Sequence, residues 1–203
     1  PASARHKLFS DPLDETIFDT SFMFNLNPAE ETSLFINLKE FYEINPNYYE
    51  GLKSIEFHSI GSYNGFLTLF NDLIGHYGYG HIDILDADIL KKEDLEGFFY
   101  HELFHHVYAY HLNSKERKEW DKIFRNTYEK NFISEYAKTN ANEDFAENGE
   151  AYLKNQDNAI ICYLSNFKEC MTVYIKEKEL RFIIEKVVLK LDNERISNIQ
   201  KKK

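Results

Sequence analysis

Four prolines and eight glycines in 203 residues leave no stretch that reads as low-complexity or collagen-like. Two cysteines are too few for a disulfide scaffold, and their spacing is not that of zinc ligands. Cys162 and Cys170 stand eight apart and fit either a pair in an exported chain or two core thiols. No run approaches about 18 uninterrupted apolar residues, so no segment is a candidate membrane span. Positive charge is in deficit: 24 Lys and Arg against 34 Asp and Glu leave a net charge of −10. That balance disfavours nucleic acid and anionic membranes as partners. Residues 1–20 lack the basic and apolar regions of a signal peptide, and Pro1 is not an initiator Met, so a processed form or an excised domain is expected. Apolar residues, in contrast, make up 43% and aromatics 16%, enough for the core of one compact, monomeric domain.

Residues 1–14 are polar and read as a loose leader, with a single domain over 15–203 divided into an N-terminal part (15–92) and a C-terminal helical part (93–203). Residues 15–26 hold Ile17, Phe18, Phe22, Phe24 and Leu26, a short helix or strand. Asn27-Pro28 opens a helix carrying Leu34, Phe35, Leu38, Phe41 and Tyr42 at three-to-four spacing, which ends before Asn45-Pro46. Ser54 to Ile60 alternates apolar and polar residues, as a half-buried strand does. Phe66 to Phe70 reads as another strand or a short helix. Gly75 to His81 is too rich in glycine for a helix and reads as a loop or edge strand before strand Ile82–Leu85. After residue 93 the pattern turns helical almost throughout, with Trp120, Ile123, Phe124 and Tyr128 marking an amphipathic helix over 114–131, and Lys201-Lys202-Lys203 reads as a frayed end.

The chemistry concentrates in His101-Glu102-Leu103-Phe104-His105, an H-E-x-x-H match inside an apolar helix expected over about 93–111. Positions i and i+4 share a helix face, so His101 and His105 can present their imidazoles to one ion, with zinc the default metal. Glu102 then stands where a general base can take a proton from water during attack on a peptide carbonyl. Composition alone yields such a match about 3% of the time, so the motif outweighs the bland reading of two hydrogen-bonded core histidines.

Such a site needs at least one more protein ligand. His111 follows His105 by six residues, but Tyr108 occupies the place of the chain-bending glycine of H-E-x-x-H-x-x-G-x-x-H. An unbroken helix carries His111 away, and His106 faces about 100° from His105, so neither is chosen. His76 and His81 lack an i+4 partner and read as surface or cleft residues. Downstream, Glu143, Glu147 and Glu150 recur on one helix face. Like charges stacked at that spacing oppose a bare helix but suit one that faces a dication. The plain alternative is a solvated acidic stripe.

Ser134-Glu135-Tyr136, Asn140 and Asn142-Glu143-Asp144-Phe145-Ala146-Glu147 resemble the matching segment of the anthrax lethal factor catalytic domain and the related Pro-Pro endopeptidases. In that family a Tyr precedes a liganding Glu by seven residues and a second Glu follows it by four. Tyr136, Glu143 and Glu147 keep both intervals, and 42 residues separate His101 from Glu143. The resemblance spans residues 95–153. It implies zinc ligands His101, His105 and Glu143, general base Glu102, an oxyanion-supporting phenol at Tyr136, and a second carboxylate, Glu147, that orients a ligand histidine. Asp144 stands where relatives often have a bulky apolar residue. Gly149 is also unusual inside a helix, where glycine costs about 1 kcal/mol.

The expected fold is therefore α+β and mostly helical. The H-E-x-x-H helix packs on a small twisted sheet, and a second helix supplies the Glu ligand. The expected function is that of a zinc endopeptidase, secreted or toxin-associated, acting on a protein or peptide held extended along a sheet edge, with Tyr79, Gly80 and His81 as candidate cleft residues. Two other readings are a catalytically silent binding domain of the same type and a metal-dependent hydrolase of a non-peptide substrate. Within the resemblance, cleavage near the N-termini of kinases and cleavage between two prolines both remain open.

Overall fold

The computed structural model describes residues 21–25, 44–58, 75–85, 92–127, 131–168, 170 and 174–202. The leader, the helix expected after Asn27-Pro28 and the Phe66–Phe70 segment lie outside the described residues. The chain divides into two compact units, Pro1–Leu103 and Phe104–Lys203.

The first unit contains a four-stranded mixed sheet, ordered β1-β2-β4-β3, from strands β1 (Ser21–Asn25), β2 (Ser54–His58), β3 (Gly75–Gly78) and β4 (His81–Ile84). β1 and β2 are parallel, as are β2 and β4, while β3 runs antiparallel to β4. The alternation read in the sequence decides which face is covered. Ile55 pairs with Ile82 and Phe57 with Ile84, and all four side chains are fully buried, whereas Glu56 and Asp83 on the other face are only half-buried. The sequence 75–81 thus resolves into an edge strand and its turn. β3 and β4 join through Tyr79 and Gly80, both at positive φ (52° and 85°), the conformation a two-residue hairpin turn requires. The Gly80 carbonyl accepts a 2.7 Å hydrogen bond from the Lys53 backbone N–H, which ties the turn to the start of β2.

Helix α1 (Lys92–His106) follows the sheet in the chain. Leu95, Phe99 and Leu103 recur at i, i+4 and are buried, and the Phe99 ring stacks on Tyr49 at 6.3 Å. The helix does not stop at His106. It continues as a π-helical turn, Val107–His111, whose closing bond runs from the Leu112 N–H to the Val107 carbonyl. The expected end near Asn113 follows, because Asn113 caps the next helix.

The second unit is helical. Helix α2 (Ser114–Asn126) starts with a capping box: Asn113 accepts from the Lys115 and Glu116 backbone N–H groups, and the Glu116 carboxylate accepts from the Asn113 N–H. α2 is shorter than the expected 114–131. Helix α3 (Ala141–Lys154) is capped by Asn140, whose side chain accepts from the Asn142 and Glu143 N–H groups at 2.9 and 3.0 Å. Helix α4 (Gln156–Leu164) follows, then α5 (Glu177–Ile183), a second π-helical turn (Ile184–Val188), the short α6 (Leu189–Leu191) and α7 (Asn193–Lys202). Lys201 and Lys202 belong to α7, so the frayed end expected there is helical instead. Aromatic rings form the centre of this unit. Phe145 of α3 meets Phe104 at 5.5 Å and Trp120 at 5.1 Å, and Trp120 meets Phe182 at 5.1 Å. The buried Trp120 indole N–H donates to the Ala141 carbonyl at 2.9 Å, which joins α2 to the first turn of α3.

The two cysteines are a pair: Cys162 of α4 is disulfide-bonded to Cys170. In the chain-entropy picture, closing so short a loop contributes about 2.5 kcal/mol.

Glu116 makes one pH effect legible. Burial raises its pKa, but the Lys190 ammonium, the Asn113 N–H and the charge of Lys186 outweigh it and hold the carboxyl below the ordinary glutamate range. A carboxylate held low in the folded state contributes stability above its unfolded pKa and loses it as pH falls through the folded value. Glu116→Gln should therefore cost about 1 kcal/mol in urea unfolding at pH 7, and that difference from wild type should be smaller at pH 3. An equal cost at both pH values would show that the carboxylate's charge plays no part.

Candidate metal centre

Helix α1 brings His101, Glu102 and His105 together. One ligand-capable atom from each lies within 4.8 Å of the others, and all three residues are buried (7%, 6% and 8% exposed). Such burial has a physical consequence. Polar and ionisable groups taken out of water cost several kcal/mol unless partners satisfy them, and a shared cation is one way to supply a partner.

Within the second unit, α3 carries Glu143, the carboxylate that the resemblance implies as a ligand. Glu143 is the third residue of α3, set by the Asn140 cap, and its Oε2 lies 3.1 Å from His105 Nε2. Two ligands at about 2.0–2.1 Å from one tetrahedral zinc lie about 3.3 Å apart, so this separation is compatible with a shared ion as well as with a direct His–Glu contact. Two imidazoles with carboxylate oxygens are also a donor set zinc accepts. His101, Glu102 and His105 are thus positioned to hold a metal ion, and their donor atoms are of a kind zinc accepts.

Glu147 stands one turn beyond Glu143, half-buried. Tyr136 lies on the 3-10 turn Tyr136–Lys138 that precedes α3, with 52% of its surface exposed. That turn is anchored by Ser134, whose hydroxyl accepts from the Ala137 N–H at 3.0 Å. The Ser134, Tyr136 and Asn140 of the sequence pattern thus occupy structural positions: a turn anchor, the exposed phenol and a helix cap.

The histidines set aside in the sequence are engaged elsewhere. His106 is fully buried, stacked on Tyr110 at 5.3 Å and edge-on to His111 at 5.5 Å. Among the described residues neither belongs to a group that could hold a metal. His76 lies 3.9 Å from Asp83 on the sheet, and His81 Nδ1 is 2.6 Å from the Ser54 hydroxyl. Tyr79, at 94% exposure, forms the hairpin tip, with Gly80 buried behind it.

Two unusual features of α3 acquire reasons. Asp144 is 2% exposed and its carboxyl is pushed up to about 7, by burial first and by the negative charge of Glu179 second. The Asn148 amide works against that rise by donating to Asp144 Oδ1 at 3.1 Å, and it also donates to the Asp144 backbone carbonyl at 2.8 Å. Gly149 faces Phe104 so closely that a Cβ there would lie 1.8 Å from the ring.

Gly75 was not legible as a functional residue. A Cβ on it would lie 2.7 Å from Glu102 Oε1 and 2.9 Å from Glu102 Cγ, so β3 passes directly against the candidate base. The only signal available was a glycine interrupting a strand, which marks close approach of another group. Compared with known protein families, curated proteins and solved structures, the chain matches none.

Proposed function

We propose that this chain is a zinc-dependent endopeptidase that hydrolyses peptide bonds in a protein substrate, of the type that the anthrax lethal factor domain and the Pro-Pro endopeptidases represent. The observation that carries the reading is the convergence of His101, Glu102 and His105 on α1, together with the 3.1 Å approach of Glu143 to His105. His101, His105 and Glu143 would hold the metal. Zinc there supplies a Lewis acid that acidifies water and polarises the scissile carbonyl.

The chain's own residues do the rest. Glu102 is not needed as a ligand, and its carboxylate takes the proton from the attacking water and returns it to the leaving amine. The Tyr136 phenol, exposed on its turn, donates a hydrogen bond to the developing oxyanion. Glu147 accepts from the second ring N–H of a ligand histidine and fixes its orientation. Edge strand β3 offers backbone donors and acceptors to a substrate lying extended beside it. The Cys162–Cys170 disulfide supports a secreted protein, since such bonds persist in oxidising compartments; delivery into a host cell as part of a toxin is the other route for such a domain. No helix among the described residues is long and apolar enough to cross a membrane.

The test is digestion of a peptide library by the zinc-loaded protein and by Glu102→Ala, read by mass spectrometry. Wild type should cut, and Glu102→Ala should fall by about a hundredfold or more with zinc still bound. The residues flanking the cut then choose between kinase-type and Pro-Pro-type specificity. A zinc-loaded wild type that cuts nothing would favour a silent binding domain, and equal cutting by both proteins would remove Glu102 from the mechanism.

A further inference from the structure

We propose that Gly75 is a positioning residue for the general base, the missing side chain being what lets the Glu102 carboxylate lie against β3. The inference rests on the endopeptidase reading for its catalytic meaning, but its structural half stands alone. Gly75 pairs with Ile84 across the hairpin, and Tyr77 pairs with Ile82. Ile82 and Ile84 are fully buried, so Gly75 sits on the covered face of the sheet, the face that Glu102 of α1 meets. At the next position on that face, Tyr77, there is room for a whole aromatic ring. At Gly75 there is none: an added Cβ would meet Glu102 at Oε1 (2.7 Å), Cγ (2.9 Å) and Cδ (3.1 Å).

Backbone freedom does not explain this glycine. Its φ lies outside the left-handed region occupied by Gly51 and Gly80, and any residue could adopt the strand conformation. Glycine also weakens a strand, because it loses more entropy on folding and packs nothing. What it provides here is space for one side chain, and that side chain is the group the chemistry depends on. A carboxylate confined between a helix and a rigid strand has fewer positions to occupy, which is how a sheet edge can pre-organise a base. The contact also sets the base beside the strand along which the substrate would lie.

The experiment combines activity with a readout that needs none. First, thermal melting of the metal-free wild type, Gly75→Ala, Glu102→Ala and the double variant forms a cycle. Gly75→Ala should lower Tm in the wild-type background and change it little when Glu102 is already Ala. An equal loss of Tm in both backgrounds would overturn the contact. Second, on a fluorogenic peptide built from a sequence cut in the library, zinc-loaded Gly75→Ala should lose about 10- to 100-fold in kcat. KM should stay within about twofold and zinc stoichiometry should not change, because the variant displaces the base while leaving ligands and sheet edge in place. An unchanged kcat, or a loss that appears in KM or in bound zinc, would overturn the positioning role. A wild type that binds zinc and cuts no peptide would bring down the endopeptidase reading instead, and the melting cycle would still decide whether Gly75 holds Glu102.

Discussion

Glu143→Gln should weaken zinc binding by more than about 100-fold, beyond what loss of an outer-shell partner costs, while Glu102→Gln should leave it within a fewfold of wild type. Both substitutions remove one negative charge and both preserve side-chain length. They separate because the two carboxylates have different partners. Glu143 Oε2 approaches the nitrogen of His105 at 3.1 Å, close to the spacing of two ligands on a tetrahedral zinc. Glu102 lies against the Gly75 backbone. If the Glu143–His105 approach were only an ion pair between side chains, glutamine would keep a polar contact there and zinc affinity would not fall with it. Competition for zinc against a fluorescent chelator measures both variants on one scale. Equal affinities for Glu143→Gln and wild type would exclude Glu143 as a ligand.

Gly149→Ala should destabilise the protein by roughly 3 kcal/mol or more, or prevent folding, although the same change in an ordinary helix stabilises it by about 1 kcal/mol. The added Cβ would lie 1.8 Å from Phe104 Cδ1 and 1.9 Å from Cγ, distances no contact tolerates. Phe104 cannot yield easily, because its fully buried ring packs on Phe145, which in turn meets Trp120. The remaining response is for α3 to move off, and Glu143 and Glu147 move with it. Urea unfolding measures the loss. Gly149→Ala combined with Phe104→Ala should recover part of it relative to the sum of the single changes, because the second substitution removes the clashing ring. A stabilised Gly149→Ala would show that the helix does not approach Phe104 this closely.

Much of the site was legible because its chemistry is local. His101 and His105 share a face by helical period alone, and Glu143 was singled out by the family resemblance that its intervals to Tyr136 and Glu147 carry. The fold class followed from alternation at Ser54–His58 and from the helical pattern after residue 93. What escaped was set by contacts distant in sequence. Gly75 and Gly149 each leave room for a side chain, Glu102 and Phe104, that no periodicity connects to them. The burial of Asp144 opposes its residue type, and its raised pKa follows from that burial and the charge of Glu179 of α5, against the hydrogen bond from Asn148. The α2 boundary was misplaced because Trp120, Ile123 and Phe124 continue the apolar spacing toward Tyr128, while the structure ends the helix at Asn126. The pairing of Cys162 with Cys170 was open, because a spacing of eight suits a bridged loop and two core thiols alike.

The most direct measurement is peptide-library cleavage by the wild-type protein before and after removal of metal with a chelator, followed by titration with zinc. The account predicts that cutting ceases in the stripped protein and returns in proportion to zinc, reaching completion at one equivalent per chain. Cutting that survives metal removal, or that never appears with one zinc bound, would contradict it.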